Sequence, residues 1–169
     1  MILYGSRYGS VREYVQWIQT AAGSHEGPFC AYDVKKQRRE ARNALAQAEP
    51  TEPVLIVAPV YAGQIMKPVR YFVEEHSDEI RRHRLALAMT TLYQGEKARE
   101  ELIRAYPAAL VAHAAQTFFI GGRIRPAELP FLVRHMVKKI IGSTEELNTL
   151  DYPAAATIAE WLGKNHQGL

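Results

Sequence analysis

Residues Val54–Val60 read VLIVAPV, a continuous apolar run bounded by Pro53 and Gly63. A run of this length and composition suits a central strand buried on both faces, as in a parallel sheet. Further apolar runs flank it at Ile2–Tyr4, Phe29–Val34 and Leu85–Leu92, and Val111–Ile120 contains one more. Helical patterns fill the gaps. From Ser10 to about Ala22, Val11, Tyr14, Val15 and Ile18 form one stripe. Arg38–Ala48 is rich in Ala, Arg and Gln. Pro68 opens a further helix at a permitted first-turn position, with Val69, Phe72, Val73 and Ile80 inward. Glu96–Tyr106 is stopped by Pro107, and Asp151 followed by Pro153 starts a last helix that ends near Gly163. Strands alternating with helices predict βαβ units. The expectation is an α/β domain over 1–169: a doubly wound, five-stranded parallel sheet with helices on both faces, and an added segment at about 121–149.

Composition agrees with one ordinary globular domain. The chain has 169 residues, 47% hydrophobic and 23% charged. One cysteine, Cys30, cannot close an internal disulfide, and no CxxC exists for a zinc ribbon or a thiol redox motif. A reducing, cytoplasmic setting is expected, with no signal peptide and no run long enough to cross a bilayer. The net charge is +3 and the pI about 9.0. The charge is unevenly spread. Lys35–Arg42 (KKQRREAR) carries five basic residues and one acidic. Gly121–Gly142 carries Arg123, Arg125, Arg134, Lys138 and Lys139 against Glu128. Such patches attract phosphates, anionic lipid or acidic ligands; the first is read here as a solvated helix face.

In a doubly wound sheet, ligands sit beyond the carboxyl ends of the strands, near the topological switch point. The loops after strands one, three and four are therefore the candidates. The first, Gly5-Ser6-Arg7-Tyr8-Gly9-Ser10, leaves a strand and opens a helix. Free N–H groups at a helix start bind phosphate, aided by the helix dipole. The loop is neither GxxxxGK[ST] nor GxGxxG, so a P-loop NTPase and the dinucleotide fingerprint are both disfavoured. The second, Pro59-Val60-Tyr61-Ala62-Gly63-Gln64, and the third, Thr90-Thr91-Leu92-Tyr93-Gln94-Gly95, each place a Tyr and a Gly just past a buried strand. Tyr61 and Tyr93 suit the two sides of a planar ring, whose stacking contributes about 0.5–1.5 kcal/mol beyond area burial.

Strand–SxxGS–helix, the block VLIVAPVYAGQIMKPVRYF and the Tyr-Gly loop together resemble the flavodoxin-like FMN proteins. The segments FIGGRIRP and LDYPAAATIAEWL resemble, within them, the menaquinone-dependent protoporphyrinogen dehydrogenase branch. The resemblance implies FMN, with its phosphate on Ser6, Arg7, Tyr8, Gly9, Ser10 and Val11. It implies ring contacts from Pro59, Tyr61, Ala62 and Gly63, and from Leu92, Tyr93, Gln94 and Gly95. Family members often carry Thr where Val11 stands, so one phosphate hydroxyl is expected to be missing. The chemistry would lie on the flavin, with no catalytic side chain. The implied activity is an FMN-dependent oxidoreductase or electron-transfer protein, oxidising protoporphyrinogen with a quinone acceptor. A flavodoxin-type electron carrier and a flavin-free binding protein on the same fold are the alternatives.

Within the added segment, Leu129, Leu132, Val133, Met136, Val137, Ile140 and Ile141 form an apolar stripe, with Arg134, His135, Lys138 and Lys139 largely outside it. Residues 129–141 thus read as an amphipathic helix with a basic face. It suits either packing within the protein or peripheral contact with the inner face of a membrane, where a quinone would be met. Arg123 and Arg125 are candidates for binding substrate carboxylates, because the guanidinium pairs bidentately. The six histidines show no i, i+4 pair, which disfavours a helical zinc site. G-x-S-x-G is absent, and so is the acidic cluster that a phosphoacceptor receiver needs after strand one. Without a recognised module, nucleic acid is not an expected partner.

Overall fold

The computed structural model describes residues 1–23, 29–61, 63–128, 131, 134–135 and 145–164. Its sheet runs in the order β2-β1-β3-β5-β6, with every neighbouring pair parallel. The strands are β1 (Ile2–Tyr4), β2 (Ala31–Asp33), β3 (Val54–Tyr61), β5 (Leu85–Thr90) and β6 (Gln116–Phe119). A two-residue strand, β4 (Gln64–Ile65), folds back antiparallel on β3. The expected five-stranded α/β architecture is therefore present, and the chain reverses its direction of winding between β1 and β3.

Side chains along β3 explain why it is central. Val54, Ile56 and Ala58 enter one core, Leu55 and Val57 the other, and all five are 0% exposed. Burying each Val, Leu or Ile stabilises by about 1.5–3 kcal/mol. The first core is covered by α2 (Arg38–Gln47), α3 (Lys67–Glu75), α4 (Ser77–Ile80), α5 (Gly95–Ala105) and α6 (Ala108–His113). The second is covered by α1 (Ser10–Ala22) and α7 (Pro153–Gly163), which pack on each other. The predicted α1 stripe is buried throughout, and so are Val69, Phe72, Val73 and Ile80.

Several elements differ from the sequence reading. The second strand is shorter, with Phe29 and Cys30 outside it. The helix opened by Pro68 breaks at His76: its N–H closes α3 on the Phe72 carbonyl at 3.0 Å, and its own carbonyl starts α4. Beyond Pro107 lies α6, whose six residues bury only Leu110 and so carry no periodic signal. Arg123–Ile124 (β7) pairs antiparallel with Leu147–Asn148 (β8). Most of the predicted amphipathic helix at 129–141 lies outside the described residues; Phe131, Arg134 and His135 are exposed. No helix among the described residues is long and apolar enough to cross a membrane.

Candidate functional site

The first loop is shaped by Gly9. Its φ of 89° lies in the left-handed region, where L side chains are strained, and it caps α1 without a side-chain bond. Its carbonyl accepts the Glu13 N–H at 2.9 Å, and Ser6 Oγ accepts the Arg12 N–H at 3.3 Å. The N–H groups of residues 6–11 donate to no acceptor among the described residues. They lie at the positive end of the α1 dipole, an arrangement that suits an anion, and the loop is the candidate cradle for one.

Val11 enters this cradle differently from what the sequence suggested. Its side chain is 1% exposed and belongs to the core under α1. Val11 therefore offers the site its N–H, and a Thr hydroxyl there would point into the core rather than to a phosphate. Val11→Thr is accordingly expected to lower stability by about 1–2 kcal/mol, through burial of a hydroxyl, without tightening anion binding. Urea unfolding beside a ligand titration checks both halves.

Two aromatic contacts tie the first loop to the second. Tyr8 meets Tyr61 edge-on, with centroids 6.4 Å apart and planes at 89°, and the Arg7 guanidinium lies 5.2 Å over the Tyr8 ring. Tyr61 is 39% exposed, and partial burial, then Tyr8, pushes its phenol up to about 12, so it remains a neutral donor at working pH. Behind it the buried Pro59 carbonyl accepts the Met66 N–H at 3.1 Å, closing the β3–β4 turn through Gly63. Ala62 lies outside the described residues.

The third loop is held by a residue that motif reading passed over. Thr91 is buried, its hydroxyl donates to Glu101 and accepts the Tyr93 N–H at 3.0 Å, and its own N–H reaches the Gly121 carbonyl at 3.0 Å. This brace leaves Leu92 and Tyr93 45% and 53% exposed at the rim, with Gln94 and Gly95 also exposed at the start of α5. A Thr just past a strand, ten residues before a Glu on the next helix, is the only sequence trace of it. The end of β6 joins the same rim, since a Cβ on Gly122 would lie 3.3 Å from Leu92 Cδ2.

Arg123 and Arg125 adjoin this rim but already have carboxylate partners. The Arg123 guanidinium pairs with both oxygens of Glu13, at 3.0 Å from Nη1, and Tyr152 adds its hydroxyl to Glu13 at 3.4 Å. Arg125 Nε lies 3.2 Å from Glu146. A substrate carboxylate would have to displace Glu13 or Glu146. The Arg123 bond holds the Glu13 carboxyl below the ordinary carboxylate range. A lowered carboxyl pKa adds stability above the ordinary value of 4.5 and loses it as pH falls through the folded value. Glu13→Gln is therefore expected to be less stable than the parent at pH 7, with the gap closing as the pH falls from the ordinary value of 4.5 through the lowered folded value. Urea midpoints followed from pH 7 down the acid limb test this.

The three loops thus gather at one end of the sheet: an N–H cradle, then Tyr61, then Leu92 and Tyr93. This geometry fits a phosphomonoester joined to a planar ring. A flavodoxin domain model matches residues 1–150. The chain belongs to the flavodoxin domain family. FMN is the cofactor of that family, and the cradle and aromatic rim fit it.

Solved structures share the flavodoxin fold. A flavodoxin, WrbA-like protein from Agrobacterium tumefaciens superposes with a TM-score of 0.56 at 10% identity, covering 97% of this chain and 96% of that one. The Flv1 flavodiiron core from Synechocystis gives 0.51 at 13% identity, with 96% and 35% covered. Rubredoxin oxygen:oxidoreductase from Desulfovibrio gigas gives 0.50 at 13% identity, with 99% and 36% covered. The chain thus spans about a third of the length of the latter two, and at these identities the likeness is one of fold. No curated protein matches the sequence.

Proposed function

We propose that the chain binds one FMN noncovalently and passes electrons between a redox donor and an acceptor. The observation that carries this reading is the run of N–H groups at residues 6–11, unmatched among the described residues, at the start of α1 and beside an aromatic rim. In this assignment Ser6, Arg7, Tyr8, Gly9, Ser10 and the Val11 N–H hold the phosphate. Tyr61 and Tyr93 flank the ring, with Pro59, Ala62, Gly63, Leu92, Gln94 and Gly95 around its edges. Bound FMN would supply one- and two-electron redox chemistry. The protein's part is to bind it, orient it and leave one edge within reach of a partner.

The finer reading is a protoporphyrinogen-type donor and a quinone acceptor. Its support is the resemblance of the FIGGRIRP and LDYPAAATIAEWL segments, together with the added β7–β8 unit beyond β6. Residues 129–141 would then meet the membrane that holds the quinone, and a substrate carboxylate at Arg123 or Arg125 would compete with Glu13 or Glu146. The FMN-loaded chain should oxidise protoporphyrinogen anaerobically only when a soluble menaquinone analogue is present. Electron exchange with redox proteins, but no turnover with that pair, would instead support the carrier reading.

A further inference from the structure

We propose that the rim above β1 and β2 is a docking face for an acidic redox protein. The inference rests on the FMN reading, because it assigns the face to electron exchange. Residues 7–12 contain Arg7 and Arg12 and no acid; residues 34–39 contain Lys35, Lys36, Arg38 and Arg39 and no acid. All six are exposed. Arg38 pairs with Glu75, whereas Arg7, Arg12, Lys35, Lys36 and Arg39 form no ion pair with a carboxylate among the described residues.

Topology puts these cations side by side. Tyr4 pairs with Asp33 across the carboxyl ends of β1 and β2, so the loop that follows β1 and the turn that follows β2 are neighbours. Asp33 Oδ1 accepts the Lys35 N–H at 3.1 Å and its carbonyl accepts those of Lys36 and Gln37, which fixes the turn at the same end of the sheet. Asp33 is buried beneath this turn, and Glu40 in the first turn of α2 is the exposed acid that follows Arg39 in the chain, so the cations here outnumber the acids. The amino ends of α1 and α2 add their dipoles to the same side.

The layout favours a protein over a small anion. The cations spread over two loops and a helix start instead of converging on one point, and a single phosphate in the cradle leaves Lys35, Lys36 and Arg39 uncompensated. The exposed apolar group of Tyr61, Leu92 and Tyr93 stands beside them. From β2 to β5 is three strand spacings, about 14 Å, so both features fit under one standard protein footprint of about 800 Å². An apolar centre flanked by charge of one sign is how transient partners are steered and oriented. The complementary surface is rich in carboxylates.

The test uses a small acidic [2Fe–2S] ferredoxin as probe. Its binding is measured by calorimetry to the full chain with and without FMN, at 20 and 500 mM NaCl. The face predicts binding at low salt that weakens at least tenfold at high salt. It also predicts a loss of at least tenfold in Lys35→Glu/Lys36→Glu/Arg39→Glu. Arg82→Glu/Arg104→Glu/Lys164→Glu makes the same change in net charge at the amino ends of the strands and should retain most of the binding. Equal loss in both variants, no ferredoxin binding, or tighter capture by vesicles containing phosphatidylglycerol through the same three residues would each overturn the proposal. FMN titration of the parent chain separates the two claims. No FMN binding with intact ferredoxin binding sinks the cofactor reading alone; FMN binding without ferredoxin binding sinks the docking face alone.

Discussion

Gly121→Ala is expected to destabilise the protein by at least about 3 kcal/mol, at or beyond the upper end of what single substitutions usually cost. Gly121 has a φ of 67°, in the left-handed region. A Cβ there would lie 1.8 Å from the Thr149 carbonyl oxygen and 2.6 Å from its carbon. Both obstacles are backbone, so no rotamer change relieves them. The contact is also where the added segment is fastened. The Thr149 N–H reaches the Gly122 carbonyl at 2.8 Å, and the Thr149 hydroxyl bonds both polar backbone atoms of Gly122 at 3.1 Å. Separating the two strands would also pull the Gly121 carbonyl from the Thr91 N–H. Tyr93 would then lose the brace that holds its loop. Urea unfolding checks the stability, and a drop in the midpoint no larger than that of an average surface substitution would contradict the packing described at Gly121.

Gly9→Val is expected to do the reverse: to spare most of the stability and abolish anion binding. Gly9 also has positive φ, but a Cβ there would meet nothing within 4 Å. The penalty is then the backbone strain alone, about 1–3 kcal/mol, and the loop can relieve it by leaving the left-handed region. Doing so turns the N–H groups beside Gly9 away from the cradle. Each hydrogen bond to a charged acceptor contributes about 1.5–3 kcal/mol, so loss of two corresponds to an affinity drop of at least about 100-fold. Riboflavin, which lacks the phosphate, should bind parent and variant alike. An equal loss for both ligands would show that the substitution had disturbed the ring pocket instead of the cradle.

These two glycines also show where sequence reading reaches and where it stops. The buried strand at Val54–Val60 is legible as an unbroken apolar run between Pro53 and Gly63, and the α1 stripe because its burial repeats near every 3.6 residues. The same stripe already placed Val11 inward, and only the family pattern made it a phosphate ligand. The sign of φ at Gly9 leaves no trace in a Gly-Ser turn. The constraint on Gly121 comes from Thr149, far along the chain, with no local signature. Arg123 looked free as a sequence element, yet its carboxylate partner Glu13 stands 110 residues away. The loops after β1, β3 and β5 could be named as candidates from topology alone, whereas the Thr91–Glu101 brace that shapes the third depends on packing between a strand end and a helix.

The claim on which the functional account stands is that the residues 6–11 cradle holds a phosphate. Titration of the purified chain with FMN and with riboflavin, following quenching of flavin fluorescence, tests it most directly. The account predicts FMN binding at least about 100-fold tighter than riboflavin, the worth of two charge-assisted hydrogen bonds. Equal affinity for the two flavins, or binding of neither, would contradict it.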